Sequence, residues 1–165
     1  MLAGHETTAA LLGNTLYTAL SQREIWAALG AHPELAGTAV DEFIRHDGPA
    51  FGLYRRTTRA IALGDVTMPQ GATVFIAYFA GNTDPAQFPD PERLDILRHN
   101  AASHVTFGHG IHYCIGAPLA RLELRVVLEE LPQAYPHLRL AADQSFTPVA
   151  SFLLRAYESL VIVLD

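Results

Sequence analysis

Phe107-Gly-His-Gly-Ile-His-Tyr-Cys114-Ile-Gly116-Ala-Pro-Leu-Ala120 is the stretch from which the fold is read. It holds the only cysteine among 165 residues. Gly108 and Gly110 come before that cysteine, Gly116 comes two residues after it, and Pro118 then opens a segment with helical periodicity. A thiolate at a helix N-terminus is favoured by the positive end of the helix dipole and by unpaired backbone N–H groups. The glycines permit left-handed backbone or close approach that a Cβ would forbid. The loop is thus suited to hold one anionic sulfur against a flat, bulky group. Two other readings are weighed against this one. A lone cysteine is often a small buried hydrophobe, but neither the glycines nor the following helix serves that role. His109, His112 and Cys114 cluster closely enough to suggest zinc, yet structural zinc takes four ligands, and His104 reaches a fourth position only by distorting the loop.

The pattern Phe107-x-x-Gly110-x-x-x-Cys114-x-Gly116 resembles the haem-thiolate loop of the cytochromes P450, and Gly-Ala-Pro-Leu-Ala-Arg resembles its soluble bacterial branch. Further marks of the family fall in order. Ala3-Gly4-His5-Glu6-Thr7-Thr8 is similar to the oxygen-activating segment of the family's long central helix. Glu42-Phe-Ile-Arg45 is similar to its Glu-x-x-Arg motif, and Phe88-Pro-Asp-Pro-Glu-Arg93 to its meander. Gly81-Asn82-Thr83-Asp84-Pro85 resembles the family's Asn-Arg-Asp-Pro with Thr83 in place of arginine. The resemblance implies a mainly α fold with small β-sheets. It covers the C-terminal portion of the P450 fold, from inside the oxygen-activating helix to a terminal β-hairpin. Residues 1–165 are then a single domain lacking the N-terminal part of the family fold.

The resemblance also implies a site. Cys114 is the axial ligand of haem b iron, with Phe107 packed against the porphyrin side of the loop. Gly108, Gly116, Ala120, Ala3 and Gly4 lie against the cofactor. His112 and Arg55 hold the propionates, Arg56 being the alternate to Arg55. Thr7 and Glu6 form an acid–alcohol pair that relays protons to bound dioxygen. Glu42 and Arg45, locked to Arg93, are structural, since a planar guanidinium fork on a carboxylate is a specific geometry. The implied reaction is monooxygenation of a small organic substrate by O2, with electrons from a ferredoxin- or flavodoxin-type donor. An alternative is that the chain, without the rest of the fold, has no activity of its own.

Composition agrees with that class. Half of the residues are hydrophobic, enough for one domain with a real core. The formal net charge of −6 argues against a nucleic-acid partner. One cysteine makes no internal disulfide, and no apolar run approaches the ~20 residues that span a bilayer; a cytoplasmic setting without a membrane segment is expected. Neither repeats nor linkers divide the chain.

Helices are expected over residues 1 to 20, 22 to 30, 33 to 46 and 118 to 131. The last is expected to be apolar along Leu119, Leu122, Val126 and Val127, with Arg121, Glu123 and Arg125 outward, and to end at Pro132. Glu42 and Arg45 stand at i,i+3, where opposite charges meet. Short strands are expected at Ile61 to Met68, turning at Gly64-Asp65, and at Thr73 to Phe79. A type I turn is expected at Met68–Gly71, and a hairpin of Phe152–Leu154 with Leu160–Leu164.

Overall fold

Helix α1 (Glu6–Ser21) lays Leu11, Thr15, Thr18 and Ala19 against the interior, the spacing of one helical face. The computed structural model describes residues 4–164, so Ala3, expected at the cofactor, lies outside the described residues. Helix α2 (Arg23–Ala31) buries Ile25, Trp26 and Leu29. A single 3-10 turn at Pro33–Leu35 leads into α3 (Ala36–Asp47), which buries Ala39, Val40, Phe43 and Ile44. Pro33 suits that start, since its missing N–H is one a helix N-terminus leaves unpaired anyway.

Among the described residues, three antiparallel two-stranded sheets follow. Strand β1 (Gly52–Arg56) pairs with β4 (Thr73–Ala77), with Gly52 opposite Ala77. Only glycine fits there, because a Cβ on residue 52 would lie 2.2 Å from the Ile76 carbonyl oxygen. Strands β2 (Ile61–Leu63) and β3 (Val66–Met68) form the expected hairpin, with Gly64 at φ +56° in its turn. Helix α4 (Tyr78–Asn82) is short, and α5 (Ala117–Ala134) is the longest element. Strands β5 (Arg139–Leu140) and β6 (Ile162–Val163) close the chain.

Helix α5 lies across α2 and α3, and the core sits at that junction. Trp26, Leu29, Phe43, Ile44, Leu124, Leu128 and Leu138 are all at most 1% exposed. Each contributes roughly 1.5–3 kcal/mol by leaving water. Trp26 resolves its one polar atom by donating Nε1–H to the Tyr135 carbonyl at 3.1 Å.

Several local expectations differ from what is observed. The turn after β3 is Pro69–Ala72, closed by Ala72 N–H to Pro69 O, and Gly71 at φ +81° in its third place marks type II. Strand β4 stops at Ala77, because Tyr78 is drawn inside and starts α4. Phe152–Leu154 forms no strand; Leu154 bridges Ala50, and β6 pairs with β5 instead. Helix α5 runs through Pro132 to Ala134. A proline that close to the C-terminus forfeits one ladder bond, and Tyr135 N–H to Leu131 O carries the helix past it.

The orientation of α5 is the largest difference. Its buried residues are Ala117, Leu124, Leu128 and Pro132. Leu119, Leu122 and Val126 are 58%, 57% and 48% exposed, on the side expected to face inward. Arg121, expected to point outward, falls in the buried stripe between Ala117 and Leu124 and is half-buried.

Candidate active site

Helix α3 carries two successive carboxylates, Asp41 and Glu42, and the site is built outward from them. Glu42 and Arg45 are fully buried and paired through both guanidinium nitrogens that face the carboxylate, at 2.7 and 2.9 Å. Arg45 also donates to the carbonyls of Asn82, Pro91 and Arg93. The second guanidinium on Glu42 belongs to Arg98, at 3.1 Å, where the sequence pointed to Arg93. Arg93 takes part through its carbonyl, which accepts from Arg45 and Arg98, and its side chain is exposed. The meander turns at Asp90–Arg93 before reaching Asp95, whose N–H also donates to Glu42, and this brings Arg98 back to the helix. Burial pushes the Glu42 carboxyl up, but the bonds from Arg45, Asp95 and Arg98 outweigh it and hold it below the usual range.

Asn82 passes this order to the approach of the cysteine loop. Its side chain accepts the Val105 N–H at 2.8 Å and donates to Thr106 Oγ1 at 2.7 Å, while Thr106 donates to the Ile44 carbonyl. In the sequence Asn82 stands out only within its Asn-Thr-Asp-Pro stretch, and its pairing with Thr106, 24 residues on, has no short-range signal.

Within the loop, Gly108 and Gly110 have φ +72° and +75°, the left-handed region that favours glycine. A single 3-10 turn covers Gly110–His112. Cys114 donates its N–H to the Phe107 carbonyl at 3.0 Å, and Ala117 N–H closes onto the Cys114 carbonyl as α5 begins. Cys114 is a free, exposed thiol. Ile111 and Ile115 beside it are 98% and 100% exposed. His112 is exposed, and Ala120 is half-buried in the first turn of α5.

Asp41 faces the other side of this loop. It accepts from His104 Nε2 at 3.2 Å and from Arg121 Nε at 2.8 Å. The His104 bond, with the Arg121 pair, keeps the Asp41 carboxyl below its usual range against the opposing effect of burial. His104 and Arg121 carried no site role in the sequence. Their partner lies more than 60 residues away on α3, so no local pattern reveals them.

The start of α1 and the second and third turns of α5 border an open cleft of about 570 Å³, lined by Gly4, Thr8, Ala9 and Leu12 opposite Leu122 and Val126. Glu6 and Thr7 are exposed in the first turn of α1, and neither lines that cleft. Arg55, on β1, donates to the Tyr54 carbonyl. At the crossing of α1 and α3, buried Asp47 accepts from Thr18 Oγ1 at 3.0 Å and meets His46 Nδ1 at 2.9 Å. Burial lowers the tendency of His46 to hold a proton, but the Asp47 carboxylate outweighs it and raises its pKa above 6.5.

Among the described residues no three His, Cys, Asp or Glu side chains come together as metal ligands, and His104 is committed to Asp41. The zinc reading therefore has no cluster to rest on. A haem-thiolate reading fits the residues present. The one thiol is exposed at the head of a helix, on a loop whose glycines fold it tightly, with bare apolar side chains on both sides.

The cytochrome P450 family model matches residues 1–154, and the chain belongs to that family. It is 44% identical to cytochrome P450 107B1 of Saccharopolyspora erythraea over 144 residues, 87% of this chain and 35% of that protein. It is 37% identical to 6-deoxyerythronolide B hydroxylase of the same organism over its full length and 41% of that protein. The haem domain of CYP116B5 from Acinetobacter radioresistens matches its fold with a TM-score of 0.95 at 34% identity, over 99% of this chain and 40% of that one. The chain thus spans well under half the length of these relatives. Among the described residues no helix is long and apolar enough to cross a membrane.

Proposed function

We propose that Cys114 is the thiolate ligand of a haem b iron, and that the protein takes part in monooxygenation of a small organic molecule. The single observation that carries this is the exposed Cys114 on a doubly left-handed glycine loop at the head of α5, between Ile111 and Ile115. A thiolate-ligated haem, when bound, supplies the activation of O2 that places one oxygen atom in the substrate and reduces the other to water.

The chain's own residues then divide the work. Cys114 provides the sulfur, and the Cys114 N–H bond to Phe107 keeps the loop folded over it. Gly108, Gly116, Ala120, Gly4 and Ala3 are small enough for close approach of the macrocycle. Arg55 and His112 carry the donors suited to its propionates. Thr7 and Glu6 supply a hydroxyl and a carboxylate at the start of α1 for proton delivery. Glu42, Arg45 and Arg98 hold the frame. Electrons come from a ferredoxin- or flavodoxin-type protein, and the setting is the cytoplasm. The name of the hydroxylase relative supports oxygen insertion as the reaction class.

The test is the reduced, CO-bound absorption spectrum of the purified chain supplied with haemin, beside that of Cys114→Ser. A red-shifted Soret band in the parent that Cys114→Ser loses is expected. A variant that keeps the band overturns the assignment; a parent without it means that this span does not seat haem by itself, and the comparison is then made in a longer protein that contains it.

A further inference from the structure

We infer that Arg121 is a positioning residue that clamps the Cys114 loop to helix α3. Its functional meaning rests on the haem-thiolate reading above, while the clamp itself is a property of the polypeptide. Three contacts converge on one guanidinium. Nε donates to Asp41 Oδ1 at 2.8 Å, Nη1 donates to Tyr113 Oη at 3.1 Å, and Cζ lies 4.7 Å from the centre of the Phe107 ring. Tyr113 is the residue before the cysteine, and Phe107 is the residue whose carbonyl accepts the Cys114 N–H. The guanidinium therefore grips the loop at both ends of the bond that closes it. A cation over an aromatic face is attracted to the ring quadrupole, and the planar fork can serve carboxylate, hydroxyl and ring together.

The other end of the clamp is fixed by His104. Its Nδ1 accepts the Thr106 N–H at 3.2 Å, so the ring hydrogen is on Nε2 and is donated to Asp41. Arg121 Nε and His104 Nε2 then donate to the same oxygen, Asp41 Oδ1, while Arg121 Nη2 lies 3.4 Å from His104 Nε2. The His104 side chain is 1% exposed and its ring lies 5.5 Å from that of Phe107. Phe107 thus packs against both an imidazole and a guanidinium, and both of these are anchored on Asp41. Asp41 and Glu42 divide the task, one fixing the loop through Arg121 and His104, its neighbour fixing the meander through Arg45 and Arg98.

Amide hydrogen exchange, read residue by residue in the purified chain, tests the clamp without haem. Arg121→Gln is expected to speed exchange of the Cys114 amide about tenfold, with α2 and core α3 amides unchanged. Asp41→Asn, which touches neither loop residue, is expected to do the same, and Arg121→Lys to restore protection only in part. With haemin and CO, Arg121→Gln is expected to convert the thiolate band to its inactive, blue-shifted form faster than the parent. Cys114 exchange within twofold of the parent in Arg121→Gln overturns the clamp, as does acceleration spread equally over α2 and α3. The haem reading is overturned separately, by a Cys114→Ser variant that keeps the thiolate band, and the exchange result decides the clamp whether or not the parent chain seats haem.

Discussion

Replacing Glu42 with glutamine tests whether the buried carboxylate holds the frame. Glu42 Oε1 accepts three bonds, from Arg45 Nη2, the Asp95 N–H and Arg98 Nε, while Oε2 accepts one from Arg45 Nε. Glutamine retains one oxygen and can keep the first three, but its NH2 group then faces the Arg45 donor. The greater loss is charge. Arg45 is fully buried and the Arg98 side chain is 8% exposed, and both are left without their anion. Breaking a buried pair in this way costs roughly 3–5 kcal/mol. For a domain of this size that lowers Tm by about 6–20 °C. Urea denaturation of parent and Glu42→Gln, followed by circular dichroism, measures the difference. Arg125→Ala provides the control, since Arg125 is 57% exposed in its pair with Glu129 and such pairs contribute at most about 1 kcal/mol. In a cycle with Arg45→Met the double variant is expected to lose less than the sum of the singles. A Glu42→Gln loss no larger than that of Arg125→Ala would refute the reasoning.

Two further outcomes are expected. The folded-state pKa values of Asp41 and Glu42 are depressed, so their stabilisation is fully present above the unfolded values of 3.8 and 4.5 and is lost as pH falls through the lower folded ones. His46 is raised, so its contribution is complete below 6.5 and disappears as pH rises through its folded value; urea midpoints measured across pH, with Asp41→Asn flattening the acid limb and His46→Gln the neutral one, check both signs. Leu124→Ala, in the buried stripe of α5, is expected to cost about 2–5 kcal/mol, and Leu122→Ala on the exposed stripe no more than about 0.5 kcal/mol in the purified chain. Equal losses for the two leucines would contradict the observed orientation of α5.

The amino-acid sequence alone determined the family, the order of the helices and the thiol on which the proposed chemistry rests. Those readings depend on local covalent facts: a cysteine between glycines, a Glu-x-x-Arg spacing, and apolar residues at helical intervals. Tertiary structure decided which face of α5 is buried. That helix carries apolar residues on two sides, so periodicity permits either stripe, and the choice falls to the surface that α2 and α3 present. The same packing turned Arg121 inward to Asp41 and Phe107, and the turn of the meander brought Arg98, not the side chain of Arg93, to Glu42. A charge finds its partner by distance in space, and these partners lie 56 and 80 residues apart in the chain.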